Sequence, residues 1–255
     1  MPKRARSPLM RATHDLAERK RMTGLLGILG TADLLALGFF AAAWAVFTLV
    51  IDHLHSRFVC LSGLMAQRRR EWMLALADRE VRIVDTAILT GLQQGAAYFG
   101  TVAILAIGGC LAALGAADQA VTIFEDLPSL NPVSRSLIEV KLAGLTLIFV
   151  YSFFKFGWSY RLFNYCSILI GTVQQERDAD AKTRRAQALR AGEMNILAGR
   201  HFNAGQRALF MALAYLGWFL GPAALCLSTA AVIAVLTRRQ FFSSARRVAL
   251  DDANP

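Results

Sequence analysis

Four long apolar blocks, separated by charged stretches, decide what this chain can fold into. They run Leu34–Ile51, Ala87–Ala117, Val140–Gly171 and Ala208–Leu236. A hydrocarbon core of ~30 Å takes about 20 apolar residues in a helix. Inside it each backbone N–H and C=O must find its partner within the protein. Blocks of this length therefore predict membrane-spanning helices. A soluble chain of 255 residues would spread its 55% hydrophobic residues in shorter periodic patterns. The expected fold class is an all-α membrane protein: four transmembrane helices, a cytoplasmic amphipathic helix and a charged helical loop. A single four-helix transmembrane domain is expected over 23–242, flanked by a basic disordered extension over 1–22 and a disordered tail over 243–255.

The start "MPKRARSPLMRATHDLAERKRM" is basic. The first apolar block is too long for the apolar region of a signal peptide, and no A-x-A-like site follows, so an uncleaved span is expected. A start at Met22 would remove the whole extension. The formal charge of +10 points to a bilayer with anionic headgroups as partner rather than to nucleic acid. Cys60, Cys110, Cys166 and Cys226 show no C-x-x-C spacing, which argues against a zinc or iron–sulfur site. Buried, reduced thiols are expected.

Residues 64–85, "LMAQRRREWMLALADREVRIVD", place Met65, Trp72, Met73, Leu76, Ile83 and Val84 along one broad helical face. This predicts an amphipathic helix running without a break into the second span. Pro128 and Pro132 predict a turn between the second and third spans. Residues 172–206, rich in both charge signs, predict a solvated helix or a helical hairpin broken near Gly192 or Gly199. Four straight spans put both termini on one side. Lys and Arg near span ends mark the cytoplasmic side. Loops 52–85 and 172–207 carry six and seven; the segment 1–22, the 117–141 connection and the tail carry seven, two and four. The written sequence ties. A start at Met22 breaks the tie, placing both loops in the cytoplasm of a bacterial inner membrane and both termini outside.

The third block is interrupted by Lys155, Arg161 and Asn164. Counting ~1.5 Å per residue from Val140, the bilayer is crossed near residue 160. Tyr151, Lys155 and Trp158 follow helical spacing, as do Trp158, Arg161 and Tyr165, so cation–π contacts are expected. Two readings stand open. One is interfacial anchoring by cations and aromatics. The other is an inward polar cluster in which Glu71, Glu80 or Asp85 partners Lys155 and Arg161; Lys155→Met would then destabilise or inactivate the protein. Gln93 and Gln94, one turn before Tyr98, should face another helix or line a solute path.

The segments "REWM" (70–73), "REVRIVD" (79–85), "EVK" (139–141), "FVYSFFKFGWSYRLFNY" (149–165), "ILIG" (168–171), "RHFNAGQRA" (200–208) and "WFLGP" (218–222) resemble, in this order, a bacterial membrane-protein family catalogued as domain of unknown function 599. The resemblance covers roughly 30–242. It implies a four-span inner-membrane protein whose relatives have a short N-terminus, and brings no established activity, cofactor or catalytic residue.

Other chemistry is sparse. Asp52, His53 and His55 close the first span, but His at i and i+2 share no helical face for a metal. His201 lacks a nucleophile or paired carboxylate in its motif. Pro222 should bend the fourth helix near Trp218. No catalytic residue, cofactor or metal is therefore assigned. Three function classes remain, in descending order. The first is a non-enzymatic scaffold or accessory subunit with a membrane-protein partner. The second is a small-solute transporter or channel, with a homo-oligomer as one form, and its polar site at the cytoplasmic end of the third span. A lipid-acting enzyme is the third. Convergence of the glutamines and Lys155 on one cavity would favour transport.

Overall fold

The computed structural model describes residues 29–53, 60–117, 134–175 and 179–251. The basic extension, Met22, the side chains of His53 and His55, and the Pro128–Pro132 turn lie outside the described residues. The described chain is helical: α1 Thr31–His53, α2 Leu61–Ala77, α3 Ile83–Gly115, α4 Arg135–Gly171, α5 Ala181–Leu216, α6 Pro222–Phe241 and α7 Ser244–Asp251. Four helices are long and apolar enough to cross a membrane, α1, α3, α4 and α6, the last continuing through α7.

The helices order themselves by side-chain contacts along their lengths. Helix α4 runs antiparallel to α3, with Gln93 bonding Asn164 and Phe99 stacking on Phe156. It runs antiparallel to α5 as well. Ser152 donates to the Gly205 carbonyl (3.0 Å), Ser159 to that of Ala198 (2.8 Å), and Cys166 reaches that of Ala191 (3.3 Å). These small side chains let two backbones approach closely while satisfying hydroxyls that apolar packing would strand. Gly205 faces the ring of Phe156, where an added Cβ would meet carbon atoms at 2.9 Å.

The apolar block Ala208–Leu236 is not one span. Helix α5 ends at Leu216, a 3₁₀ turn covers Gly217–Leu220, and α6 begins at Pro222. Gly221 has φ 128°, a left-handed conformation that side-chain-bearing residues rarely adopt. Pro222 lacks the N–H that a first helical residue leaves unpaired, so it starts a helix here rather than bending one. The chain folds back, with Ser228 donating to the Ala214 carbonyl (2.6 Å) and Arg239 lying over Phe210. The second half of α5 thus lies alongside α4 and α6.

Helix α1 lies parallel to α6. Asp33 at its start accepts from Trp218, and Phe47 and Ile51 near its end pack with Leu236. The start of α1 and the end of α6 are consequently at opposite ends of the bundle. The expectation of both termini on one side rested on every apolar block crossing once, and the fourth block turns back at Gly221.

The expected helix over 64–85 is broken. Asp78 and Arg79 N–H groups close α2 on Ala75 and Leu76, and α3 starts afresh at Ile83. Arg82 ties the connection to the Val173 carbonyl (2.5 Å). Met73 and Leu76 are buried as the pattern required, while Met65, Ile83 and Val84 are exposed. Residues 181–216 form an unbroken helix; Gly192 and Gly199 do not break it but let α2 lie close, against Met73 and Arg69. Beyond the apolar layer, α2, the first turns of α3, the end of α4 and the start of α5 enclose a second core around Met73, Leu89, Phe163, Cys166 and Ala188.

Candidate functional site

The polar residues of the third apolar block are distributed in pairs. Lys155 lies over the Tyr151 ring at 5.2 Å. Arg161 donates to the Tyr165 hydroxyl (2.9 Å) and lies over its ring. Trp158 meets His201 edge to face. Gln93 donates to Asn164 (2.9 Å) and Ser167 (3.0 Å), whereas Gln94 and Tyr98 are exposed.

The acids expected to join this cluster are elsewhere. Asp85 is fully buried and accepts from Trp72 (2.7 Å) and Arg79 (2.5 Å). Glu71 pairs with Arg68, and Glu80 is exposed. The reason is topological: Glu71 is on α2, which packs on α5, while Asp85 is on α3 but lies about two turns before Gln93, the partner of Asn164, and so beyond the level of Lys155 and Arg161. Neither Lys155 nor Arg161 therefore has a carboxylate partner among the described residues.

Two other charged constellations occupy the bundle interior. At the start of α1, Asp33 accepts from Trp218 Nε1 (2.7 Å), and Lys141, only 3% exposed, holds its Nζ 5.3 Å from the Trp218 ring and 6.0 Å from that of Phe219. At its end, Asp52 takes both of its oxygens to Arg207 Nη2, at 2.8 and 3.1 Å. Arg207 is 6% exposed, and its buried Nε finds no acceptor. One helix thus carries an aspartate at each end, and each aspartate grips the α5–turn segment.

Beside Arg207 opens a cavity of ≈ 270 Å³ between the end of α1, the start of α2, the middle of α5 and the end of α6. Among the described residues four arginines line it, Arg69, Arg200, Arg207 and Arg239, against one acid, Asp52. Arg69 crosses to α5, where Nη1 donates to the Asn195 side-chain and backbone oxygens, and Gly199 leaves room for its guanidinium. Burial pulls the Arg69 guanidinium below its ordinary value, although it stays a cation at neutral pH. The lining also includes apolar Phe47, Ile51, Phe210 and Leu236. Ser62 donates to the Gln240 side-chain Oε1 through both N–H and hydroxyl (3.3 and 3.1 Å), pinning α2 to the end of α6.

Sequence reasoning singled out none of these arginines, nor Asp33 or Lys141. Asp33, Lys141, Arg207 and Arg239 lie at the end of an apolar block, where an anchoring charge is ordinary, and Arg69 and Arg200 lie in charged stretches between blocks. Only the fold-back of α5 and α6 brings Arg207 and Arg239 to one cavity. The four cysteines are free thiols, three of them buried. Among the described residues no group of three His, Cys, Asp or Glu could hold a metal.

No curated protein and no solved structure matches the chain. A family model does match, over residues 35–245, which takes in every helix up to the start of α7. The chain belongs to the family described as "Protein of unknown function, DUF599".

Proposed function

We propose that this multi-pass membrane protein is a non-enzymatic scaffold or accessory subunit of a bacterial inner-membrane complex. The observation that carries the reading is the second core beyond the apolar layer. A helix of 37 residues such as α4 is about 55 Å long, well over a ~30 Å hydrocarbon core. Its excess is not loose: with α2, α3 and α5 it builds a packed platform whose rim is charged, including the Arg70–Glu193 pair at 2.6 Å and Arg184–Asp78 at 3.6 Å. A rigid charged platform at a membrane surface suits the docking of another protein.

Transport through the polar site at the cytoplasmic end of the third span has less support. Gln93 is consumed by Asn164, Gln94 is exposed on another face, and Lys155 stacks on Tyr151, and none of the three is among the residues lining the arginine-bearing cavity. The platform is taken to face the cytoplasm. With α1 parallel to α6, the six, seven and four Lys/Arg of 52–85, 172–207 and the tail lie on one side, against seven and two on the other. The tie is then broken even with the N-terminal extension included.

The test is purification from the source membrane in mild detergent through a C-terminal tag, followed by mass determination and identification of what is retained. A stoichiometric second protein is the expected result. A homogeneous homo-oligomer that carries solute across reconstituted vesicles would overturn the reading.

A further inference from the structure

We propose that the arginine-lined cavity is a binding site for a phosphate-bearing anion joined to an apolar group, the chemistry of an anionic phospholipid entering from the bilayer edge. Three observations carry it.

The first is charge. Among the described residues four arginines and one acid border a space of ≈ 270 Å³, and Asp52 is already committed to Arg207. Arg207 is buried and Arg69 partly buried, with the exposed Arg200 and Arg239 beside them; cations set this close together favour an anion between them, and guanidinium forks match phosphate oxygens in geometry.

The second is the state of the donors. Arg207 is held by Asp52 through one nitrogen, and its buried Nε is without an acceptor. Arg69 is fixed by Asn195. Arg200 makes no hydrogen bond or ion pair among the described residues, and Arg239 rests on the Phe210 face. Two arginines are thus set in place while two at the mouth can close on a ligand.

The third is the amphipathic lining. The cations share the lining with a wall of Phe47, Ile51, Phe210 and Leu236, apolar residues of α1, α5 and α6. The cavity therefore sits where the apolar layer ends, the depth at which a lipid phosphate lies and its acyl chains begin. A free inorganic anion would leave that wall unused.

The full-length protein, purified in maltoside detergent and washed free of lipid, is melted by intrinsic tryptophan fluorescence. It is titrated separately with phosphatidylglycerol, phosphatidylcholine and inorganic phosphate. Phosphatidylglycerol is expected to raise the melting temperature saturably, phosphatidylcholine weakly, and inorganic phosphate only at far higher concentration. The double variant Arg200→Gln/Arg239→Gln removes the mouth cations and keeps the Asp52–Arg207 pair. Its apparent affinity for phosphatidylglycerol is expected to fall at least about tenfold, the loss of charge-assisted contacts. Arg161→Gln, a cation away from the cavity, should leave it unchanged. Inorganic phosphate acting at the lipid's concentration would overturn the amphiphile assignment. Equal responses to the two lipids, or an unchanged response in the double variant, would overturn the site.

Discussion

Arg207 shows how little a charge reveals of itself until its neighbours are known. In the sequence it is one of seven basic residues of a polar stretch and abuts an apolar block. In the fold it is nearly buried, with one carboxylate for a partner. Removing that partner by Asp52→Ala leaves a buried cation unpaired, which costs about 3–5 kcal/mol. The low end is expected because Asp52 is itself 35% exposed. Replacing both, Asp52→Leu with Arg207→Leu, should restore most of the loss, measured as melting temperature in detergent; a double variant as unstable as Asp52→Ala would refute the pairing. Lys155 behaves oppositely. Its spacing to Tyr151 was legible, and the contact is there, but it is a half-exposed cation on one ring. Lys155→Met should therefore cost no more than about 1 kcal/mol, read in the same melt. A larger loss would mean that the lysine has an acidic partner. The i, i+4 contacts were readable because both members sit on one helix. The Asp52–Arg207 pair spans 155 positions and depends on a fold-back that spacing does not encode.

Among the elements, the helices themselves were written plainly in the apolar blocks, and their breaks were not. Hydropathy sums over a window and is blind to a turn whose residues are also apolar. "GWFLGP" kept the fourth block greasy while Gly221 and Pro222 reversed it. The clue was the Gly-Pro pair, which suits a helix start as well as a bend. Gly221→Ala would force a side chain into φ 128° and should destabilise by about 1–2 kcal/mol, seen as a lower melting temperature; an unchanged one would mean the hairpin tolerates a relaxed turn. The start of α5 is set more locally. Asp180 accepts from the Thr183 N–H at 3.1 Å, and its contacts with Thr183 hold its carboxyl below the usual range. A depressed value stabilises the folded state above the unfolded aspartate's ~3.9, and the contribution fades as pH falls below that towards the folded value. Asp180→Ala should accordingly melt slightly lower than the wild type at neutral pH. The two curves should converge on acidification below about pH 4; a gap that persists at low pH would assign the stability to something other than the ionised cap.

At the scale of the whole molecule, parity decides orientation. Four straight crossings return the chain to its starting side; five, with α5 as the additional passage we propose, do not. The geometry rests on contacts at both levels of the bundle, Asp33 with Trp218 at one and Asp52 with Arg207 and Ile51 with Leu236 at the other. Fixing α1 and α6 in parallel fixes the relative sides of their outer ends. The Lys/Arg of the two long loops and the tail then reinforce one another instead of competing. Alkaline phosphatase, active only outside the cytoplasm, and a fluorescent protein that matures only inside it read this directly. Fused after α7, the fluorescent protein should shine and the phosphatase stay silent; fused ahead of Leu29, the phosphatase should be active. Placed between Gly115 and Arg135, the phosphatase should also be active, because that connection shares the side of the α1 start. Both termini reporting the same side would remove the α5 passage. It would also separate Arg207 from Asp52 and Arg239, and with them the arginine-lined cavity.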